Sequence, residues 1–534
     1  MKKIKMLSLL LVLAMLLGLM AGCGGTDDTP ANSSPSSNAS AGSGDAEAPS
    51  STNPGTGAPA GGQTVTIANL DEINDFDPFT NQQTTYLCLI NNNCMETLLY
   101  IDADMEYAPG LATSWTVSDD GLSYEFQLRE GVKFHDGADF TAEDVKYTIE
   151  YTVDPDNGCW RAGYFSSIAG IECPDDHTVR LTLSAPAPAL LDSFSSLAIV
   201  SSQQDPGTYS STLNGTGPFR FVSYTANDAV VFEKDADYWD AANVQLDGLT
   251  IKFVADYTTA ITSLKAGDID LIYNLDASYA EDVEAADGLK VVTSPTSNST
   301  YLFEIGLHNV PAFQEENVLK AMFMCLDTQT MADEVFYGYA SPSLGVVHAG
   351  AKYYQDVYDG TYDIEAAKAL LATTSYADGF DFTMYCMAGP FEGIAVIWQQ
   401  ALAQIGISMK IEVQEMSVWL EHYLSRDYDM ISNSYSMVGT DPATMMTLVV
   451  GGLFDYQASE ALVPGLQDLI AQGASTASDS ERERIYGDIF EILAEKMPLY
   501  TYLSVDNLYA AKANLEGISF NGEARYIFTH AYFS

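Results

Sequence analysis

Apolar and polar residues alternate along Thr64-Val65-Thr66-Ile67-Ala68, through Tyr124, Phe126 and Leu128, and through Val179, Leu181 and Leu183. A period of two puts alternate side chains on one face of a strand. Between the last two of these runs the period lengthens. Val145 and Ile149 mark the buried face of a helix, Thr141 stands at its N-cap, and Asp144 completes a capping box. Asp144 also complements the positive end of the helix dipole. Two later segments share one pattern. A short helix over 258–266, with Ile261 and Leu264 inward, leads to Asp268-Ile269-Asp270-Leu271-Ile272. A helix over 417–425, with Leu420 and Leu424 inward, leads to Asp427-Tyr428-Asp429-Met430-Ile431. Steps from a helix to a buried strand build parallel α/β sheets. The pair points either to two α/β lobes or to a chance likeness of two such units. Asp363 is expected to cap a helix carrying Ala367, Leu370 and Leu371. Ser480 with Glu483 is expected to form a second capping box ahead of Ile485, Ile489, Ile492 and Leu493. Pro498 ends that helix, and a strand follows over 499–505.

The chain opens differently. Lys2, Lys3 and Lys5 precede an apolar run from Met6 to Met20, which is short for a membrane span. Small residues then lead into Cys23, in the manner of a bacterial lipoprotein signal, so residues 1–22 are expected to be removed and Cys23 to carry lipid. The next stretch, to Gly62, is rich in Gly, Ser, Thr, Pro, Ala and Asn and has no aromatic residue. It cannot bury enough apolar surface to offset its chain entropy and is expected to act as a tether, spanning roughly 35 Å as a flexible coil.

The 534 residues include 23 Lys and Arg against 73 Asp and Glu, a formal net charge of −50. That excludes a protein that grips phosphate backbones and one held to anionic lipid by charge. Lipid on Cys23 would hold it at the membrane instead. Hydrophobic residues make up 47% of the chain, enough for large cores. Catalytic signatures are missing: there is no GxSxG, HExxH, P-loop, or GxGxxG after a strand, and the six histidines are scattered. No CxxC occurs. Cys88 and Cys94 could form a bridge, or all six cysteines after Cys23 could remain thiols. With 73 acids, no single carboxylate pair stands out as a glycosidase site.

A family resemblance rests on longer runs. Asp77-Pro78, Glu96-Thr97-Leu98-Leu99 and Pro109-Gly110-Leu111-Ala112-Thr113-Ser114-Trp115 resemble the opening of the bacterial extracellular solute-binding proteins of family 5. The run from Ser118 to Gly137, with Thr141-Ala142-Glu143-Asp144-Val145, is closer still. Gly215-Thr216-Gly217-Pro218-Phe219, Tyr238-Trp239, and Leu264 to Leu271 follow in order, then Val318 to Asp327 and Gly338 to Ser341. The resemblance covers about 64–534. It implies an α/β, bilobed periplasmic-binding-protein-like (type II) fold with an extra domain inserted in lobe I. Lobe I would comprise 63–110, 215–305 and 503–534, the insert 111–214, and lobe II 306–502. Glycines 121, 131 and 137 would serve turns, and Phe134, His135 and Asp136 would hold the insert together.

The resemblance also implies a function: a lipid-anchored, monomeric binding protein of an ABC importer. It would capture peptides between closing lobes and deliver them to the permease's transmembrane subunits, with no cofactor, metal or catalysis. Ligand-binding positions would fall at Tyr301, Met416, Tyr435, Ser436, Met437, Val438 and Asp441. In the peptide-binding members an Asp that pairs with the peptide ammonium stands where this chain has Val438, and a valine cannot accept a charge-assisted hydrogen bond. Three alternatives follow. The alignment slips, Asp441 substitutes, or the ligand has no free amine there and belongs to another class, such as an oligosaccharide or a nickel chelate. A cell-surface glycosidase is the rival from outside the binding proteins.

Overall fold

The computed structural model describes residues 63–294, 299–436, 439–447, 463–523 and 525–534. Cys23, Met437 and Val438 lie outside them. Three sheets, each with its own core, organise the chain. The first has seven strands, in the order Leu289–Thr293, Leu508–Lys512, Leu271–Ile272, Thr64–Asn69, Gly248–Phe253, Ala229–Lys234 and Phe219–Thr225. Thr64–Asn69 runs parallel to both of its neighbours. The second is a four-stranded antiparallel sheet of Ala112–Val117, Ser123–Leu128, Ile168–Asp175 and Thr178–Leu183, within the 111–214 segment that the resemblance reads as an insert. Phe126, Val145, Phe165, Val179 and Phe194 fill its core. The third has six strands, Ala340–Pro342, Leu499–Val505, Ser299–Ile305, Met430–Ser436, Asp381–Cys386 and Ser408–Val413.

Two expected boundaries move. Ser299–Ile305 and Leu499–Val505, placed in whole or part in lobe I by the resemblance, pair with each other and with Met430–Ser436 in the lobe II sheet. The chain re-enters lobe I only at Leu508–Lys512, which pairs with Leu289–Thr293. Strand pairing decides this, because an interior strand satisfies its backbone groups only beside its neighbours.

The repeated Asp-x-Asp has a physical basis. In each lobe its second acid takes a backbone N–H of the adjacent parallel strand: Thr66 N–H donates to Asp270 at 2.8 Å, and Thr383 N–H to Asp429 at 2.8 Å. The helices before them are Tyr257–Ala266 and Met416–Ser425, and both end in a left-handed residue, Gly267 and Arg426. The Thr141–Asp144 capping box opens the Ala142–Val153 helix as expected, and Asp363 caps Ile364–Leu371. The second expected box does not form. The Asp479–Lys496 helix starts two residues earlier, after Ser478, so Ser480 lies inside its first turn.

His135 ties the insert to lobe I, its ring Nε2 lying 2.9 Å from the Gly217 carbonyl oxygen. Gly215 and Gly217 pass so close to the carbonyls of Asn93 and Cys94 that a Cβ at either would overlap them. Cys88 and Cys94 are both thiols, so the bridge is not made. Among the described residues no helix is long and apolar enough to cross a membrane.

Candidate functional site

The Met430–Ser436 strand, where the resemblance places the ligand segment, lies in the interior of the lobe II sheet. Its register with Ser299–Ile305 puts Thr300, Leu302 and Glu304 on one face with Tyr435, Asn433 and Ile431. Tyr301 falls on the other face, its ring 4.9 Å from Phe391 and 5.1 Å from Phe336. The sheet therefore separates Tyr301 from Tyr435. Tyr435 is buried, and its hydroxyl donates to Glu304 and sits 3.0 Å from the Tyr423 hydroxyl. Asn433 Nδ2 also donates to Glu304, at 3.1 Å, and Tyr428 Oη at 3.4 Å. Ser436 is exposed at the strand end, and Met416 is half-buried at the start of its helix.

Burial pushes the Glu304 carboxyl up to about 8, against the pull of the tyrosine and asparagine donors. Its folded state keeps the proton that the unfolded chain releases near the ordinary carboxylate pKa, so its contribution to stability shrinks between about pH 4.5 and 8. Glu304→Gln keeps a neutral side chain of the same shape. The variant is expected to flatten the pH dependence of the denaturation midpoint over this range by an amount on the order of a few kcal/mol. Identical slopes in the two proteins would contradict a protonated Glu304.

Asp441 is not an open ligand group. Its carboxylate is 1% exposed and held by Arg482 through two bonds, Nη2–Oδ1 at 2.6 Å and Nη1–Oδ2 at 2.7 Å. Its Oδ1 also accepts from Ala443 N–H at 2.9 Å. With both oxygens engaged, it has no ready capacity for a substrate ammonium. The alternative that Asp441 replaces the missing amine partner therefore finds its carboxylate already committed.

Around Asp441 the three parts of the molecule converge. Asp192, on the insert's Leu190–Ser196 helix, accepts from Asp441 N–H at 2.7 Å, Thr440 N–H at 3.1 Å and the Tyr107 hydroxyl at 2.8 Å. Burial, then the nearby Asp441 carboxylate, push Asp192 upward. Beside these contacts lies a cavity of about 140 Å³ lined by Tyr107, Tyr124 and Leu191 with Lys352, Asp479 and Arg482 of lobe II. From lobe I, Glu523 pairs with Arg525 at 3.0 Å, and the Gly439 backbone helps to pull its buried carboxyl down, while Arg525 Nη1 reaches the Ser195 carbonyl at 3.4 Å.

Arg161, in the insert, is the group here that the sequence pattern did not single out. It is 1% exposed. Its guanidinium stacks 3.9 Å from the Trp160 ring centroid, Nη1 reaches only the Pro78 carbonyl, at 3.4 Å, and Nε has no partner. No carboxylate pairs with it among the described residues. Burial pulls it down to about 10, and the Arg525 charge acts in the same direction. Burial raises the Glu523 carboxyl while Arg525 and then Arg161 pull it back, so this acid shares the field of Arg161; no ion pair among the described residues joins the two, and part of the buried guanidinium's bonding capacity is unspent. Its surroundings of Trp160, Tyr86 and Tyr164 suit a flat anionic group such as a carboxylate. Among the described residues no group of acids, histidines and cysteines could hold a metal ion.

Two α/β lobes, each with its own sheet, an insert on the first, and polar groups from all three meeting at their junction describe a bilobed solute-binding protein of the periplasmic type II class. The chain belongs to the bacterial extracellular solute-binding proteins of family 5, whose model matches residues 106–455. It is 31% identical over 361 residues to the glutathione-binding protein GsiB of Salmonella typhi, a match covering 66% of this chain and 69% of the relative. Among solved structures it resembles the ABC transporter substrate-binding protein CtaP of Listeria monocytogenes, with a TM-score of 0.78 and 24% identity, over 88% of this chain and 99% of that one. It also resembles AgaA of A. tumefaciens R10, solved with agropinic acid, with a TM-score of 0.68 and 25% identity, over 88% and 99%. Proteins of this family bind solutes for ABC importers and work outside the cytoplasm.

Proposed function

We propose that this chain is a lipid-anchored receptor that captures a short peptide or peptide-like solute bearing a carboxylate and delivers it to the transmembrane subunits of an ABC importer. The observation that carries the ligand class is Arg161, a buried guanidinium that shares the field of Glu523 but meets no carboxylate of the described residues in an ion pair. A carboxylate arriving with the solute would neutralise it and fill its unused donors. The likeness to a glutathione-binding protein supports a peptide, since glutathione is a tripeptide with two carboxylates. The protein binds without turnover, as a monomer, and uses no cofactor.

Val438 favours a second reading, in which the ligand is an acidic non-peptide solute with no amine to place at that position. The likeness to AgaA, solved with agropinic acid, supports it. Mass spectrometry of the ligand released from freshly purified protein separates the two: peptide masses support the first, and a non-peptide acid the second. A neutral sugar would overturn both, and turnover of a saccharide would return the glycosidase. The anchor is tested separately. Cys23→Ala is expected to release the protein into the medium or leave its leader uncut, and a variant processed and membrane-bound like the wild type would contradict lipidation.

A further inference from the structure

In lobe II the backbone N–H groups of Thr440 and Asp441 donate to Asp192 of the insert, and the backbone of the preceding Gly439 acts on the Glu523 carboxyl of lobe I, drawing it down. Asp192 is 2% exposed, Thr440 and Asp441 are each 1% exposed, and the Thr440 hydroxyl adds a contact to Asp192 at 3.3 Å. The loop is set from behind by the Asp441–Arg482 pair and by Lys352 N–H, which donates to the Thr440 carbonyl at 2.8 Å. Gly439 has φ +90°, which favours glycine, and a Cβ there would overlap the Asp192 carboxyl carbon. These residues follow directly on the segment where the resemblance places ligand.

We propose that Asp192 and Glu523 form a closure clasp, which grips the Gly439–Asp441 backbone when the lobes shut and so couples ligand capture to the closed state. The proposal rests on the solute-binding reading above. Opening the lobes would expose both carboxylates and this backbone to water. Re-forming charge-assisted bonds in a buried setting favours the closed form, and a ligand that favours the closed form would bring the amides and carboxylates together. Asp192 is a positioning residue in this scheme.

The test is hydrogen exchange on the full mature chain, with and without a synthetic tripeptide pool that includes glutathione. In the wild type the Thr440 and Asp441 amides are expected to exchange at least tenfold more slowly with the pool than without it. Asp192→Ala is expected to abolish that slowing and weaken retention of the pool by roughly ten- to hundred-fold. The Ser299–Ile305 amides should keep their protection. Gly439→Ala removes the fit from the lobe II side and is expected to give the same pattern. Amides that stay slow in both variants would overturn the clasp, as would protection lost across the whole lobe in both, which would make these residues part of the scaffold. Should the pool bind none of the proteins, the peptide reading fails. The clasp is then decided by ligand-free protein, in which Asp192→Ala must still speed the Thr440 and Asp441 amides tenfold.

Discussion

Asp441→Ala is expected to destabilise lobe II by about 3–5 kcal/mol, the cost of leaving a buried charge without its partner. Arg482 is 2% exposed, donates from Nε to the Gly473 carbonyl at 2.9 Å, and has its guanidinium carbon 5.3 Å from the Tyr486 ring centroid. It cannot reach water without disturbing the helix that carries it. Removing Arg482 in the same protein should therefore recover much of the loss. Asp441→Ala with Arg482→Met is expected to be more stable than Asp441→Ala alone, although each substitution alone is harmful. Denaturant midpoints of the four proteins complete the cycle. Additive losses would mean that the pair contributes nothing as a pair. Had Asp441 been the ligand's amine partner, Asp441→Ala would instead spare stability and lower affinity.

Arg161→Met should do the opposite. Methionine keeps the contact with the Trp160 ring and removes a buried charge that no carboxylate among the described residues meets in an ion pair, Glu523 acting on it only through the field. The ligand-free variant is expected to melt at a higher temperature than the wild type, while losing about ten- to hundred-fold in affinity for its acidic solute. Stability gained with affinity lost marks a residue kept for binding. A variant that melts lower and binds as before would assign Arg161 to the scaffold. Calorimetric melting of ligand-stripped protein, followed by titration, reads both quantities.

Much of the architecture was legible in the chain. The alternation at Thr64–Ala68, the Thr141–Asp144 box and the two helix-to-strand units with Asp-x-Asp fall where the pattern puts them, because each is set by neighbours in sequence, although the second helix buries Trp419 and Tyr423 and leaves the expected Leu420 and Leu424 only half-buried. The lobe boundaries were not. Whether Ser299–Ile305 and Leu499–Val505 join lobe I or lobe II depends on strand pairing between residues some two hundred positions apart, and local pattern carries no trace of it. The site was less legible still. Asp441 matched a motif, but its partner Arg482 lies 41 residues on, where the pattern showed only a helix. Ser480 looked like a cap because the pattern cannot see that the helix already begins at Asp479. Tyr435 was expected to line the cleft. Its hydroxyl is instead turned to Glu304, an acid on a neighbouring strand that no local pattern marks out among the chain's 73. Arg161 and Asp192 had no motif at all, and they stand out only through burial and through partners from other parts of the chain.

The acidity of the chain takes its place in this picture. Among the described residues most carboxylates lie outside the buried set, and the buried ones that matter here are turned inward to amides, tyrosines and Arg482. That leaves a negative protein with a buried guanidinium, Arg161, that no carboxylate of the described residues holds in an ion pair, an arrangement suited to an acidic guest.

The central claim, capture of a carboxylate-bearing peptide through Arg161, is tested most directly by titrating ligand-stripped protein with one tripeptide pool in two forms, carrying free or amidated carboxyl groups. The free acids are expected to bind and amidation to weaken binding by about ten- to hundred-fold, a difference that disappears in Arg161→Met. Equal binding of acid and amide by the wild type would contradict it.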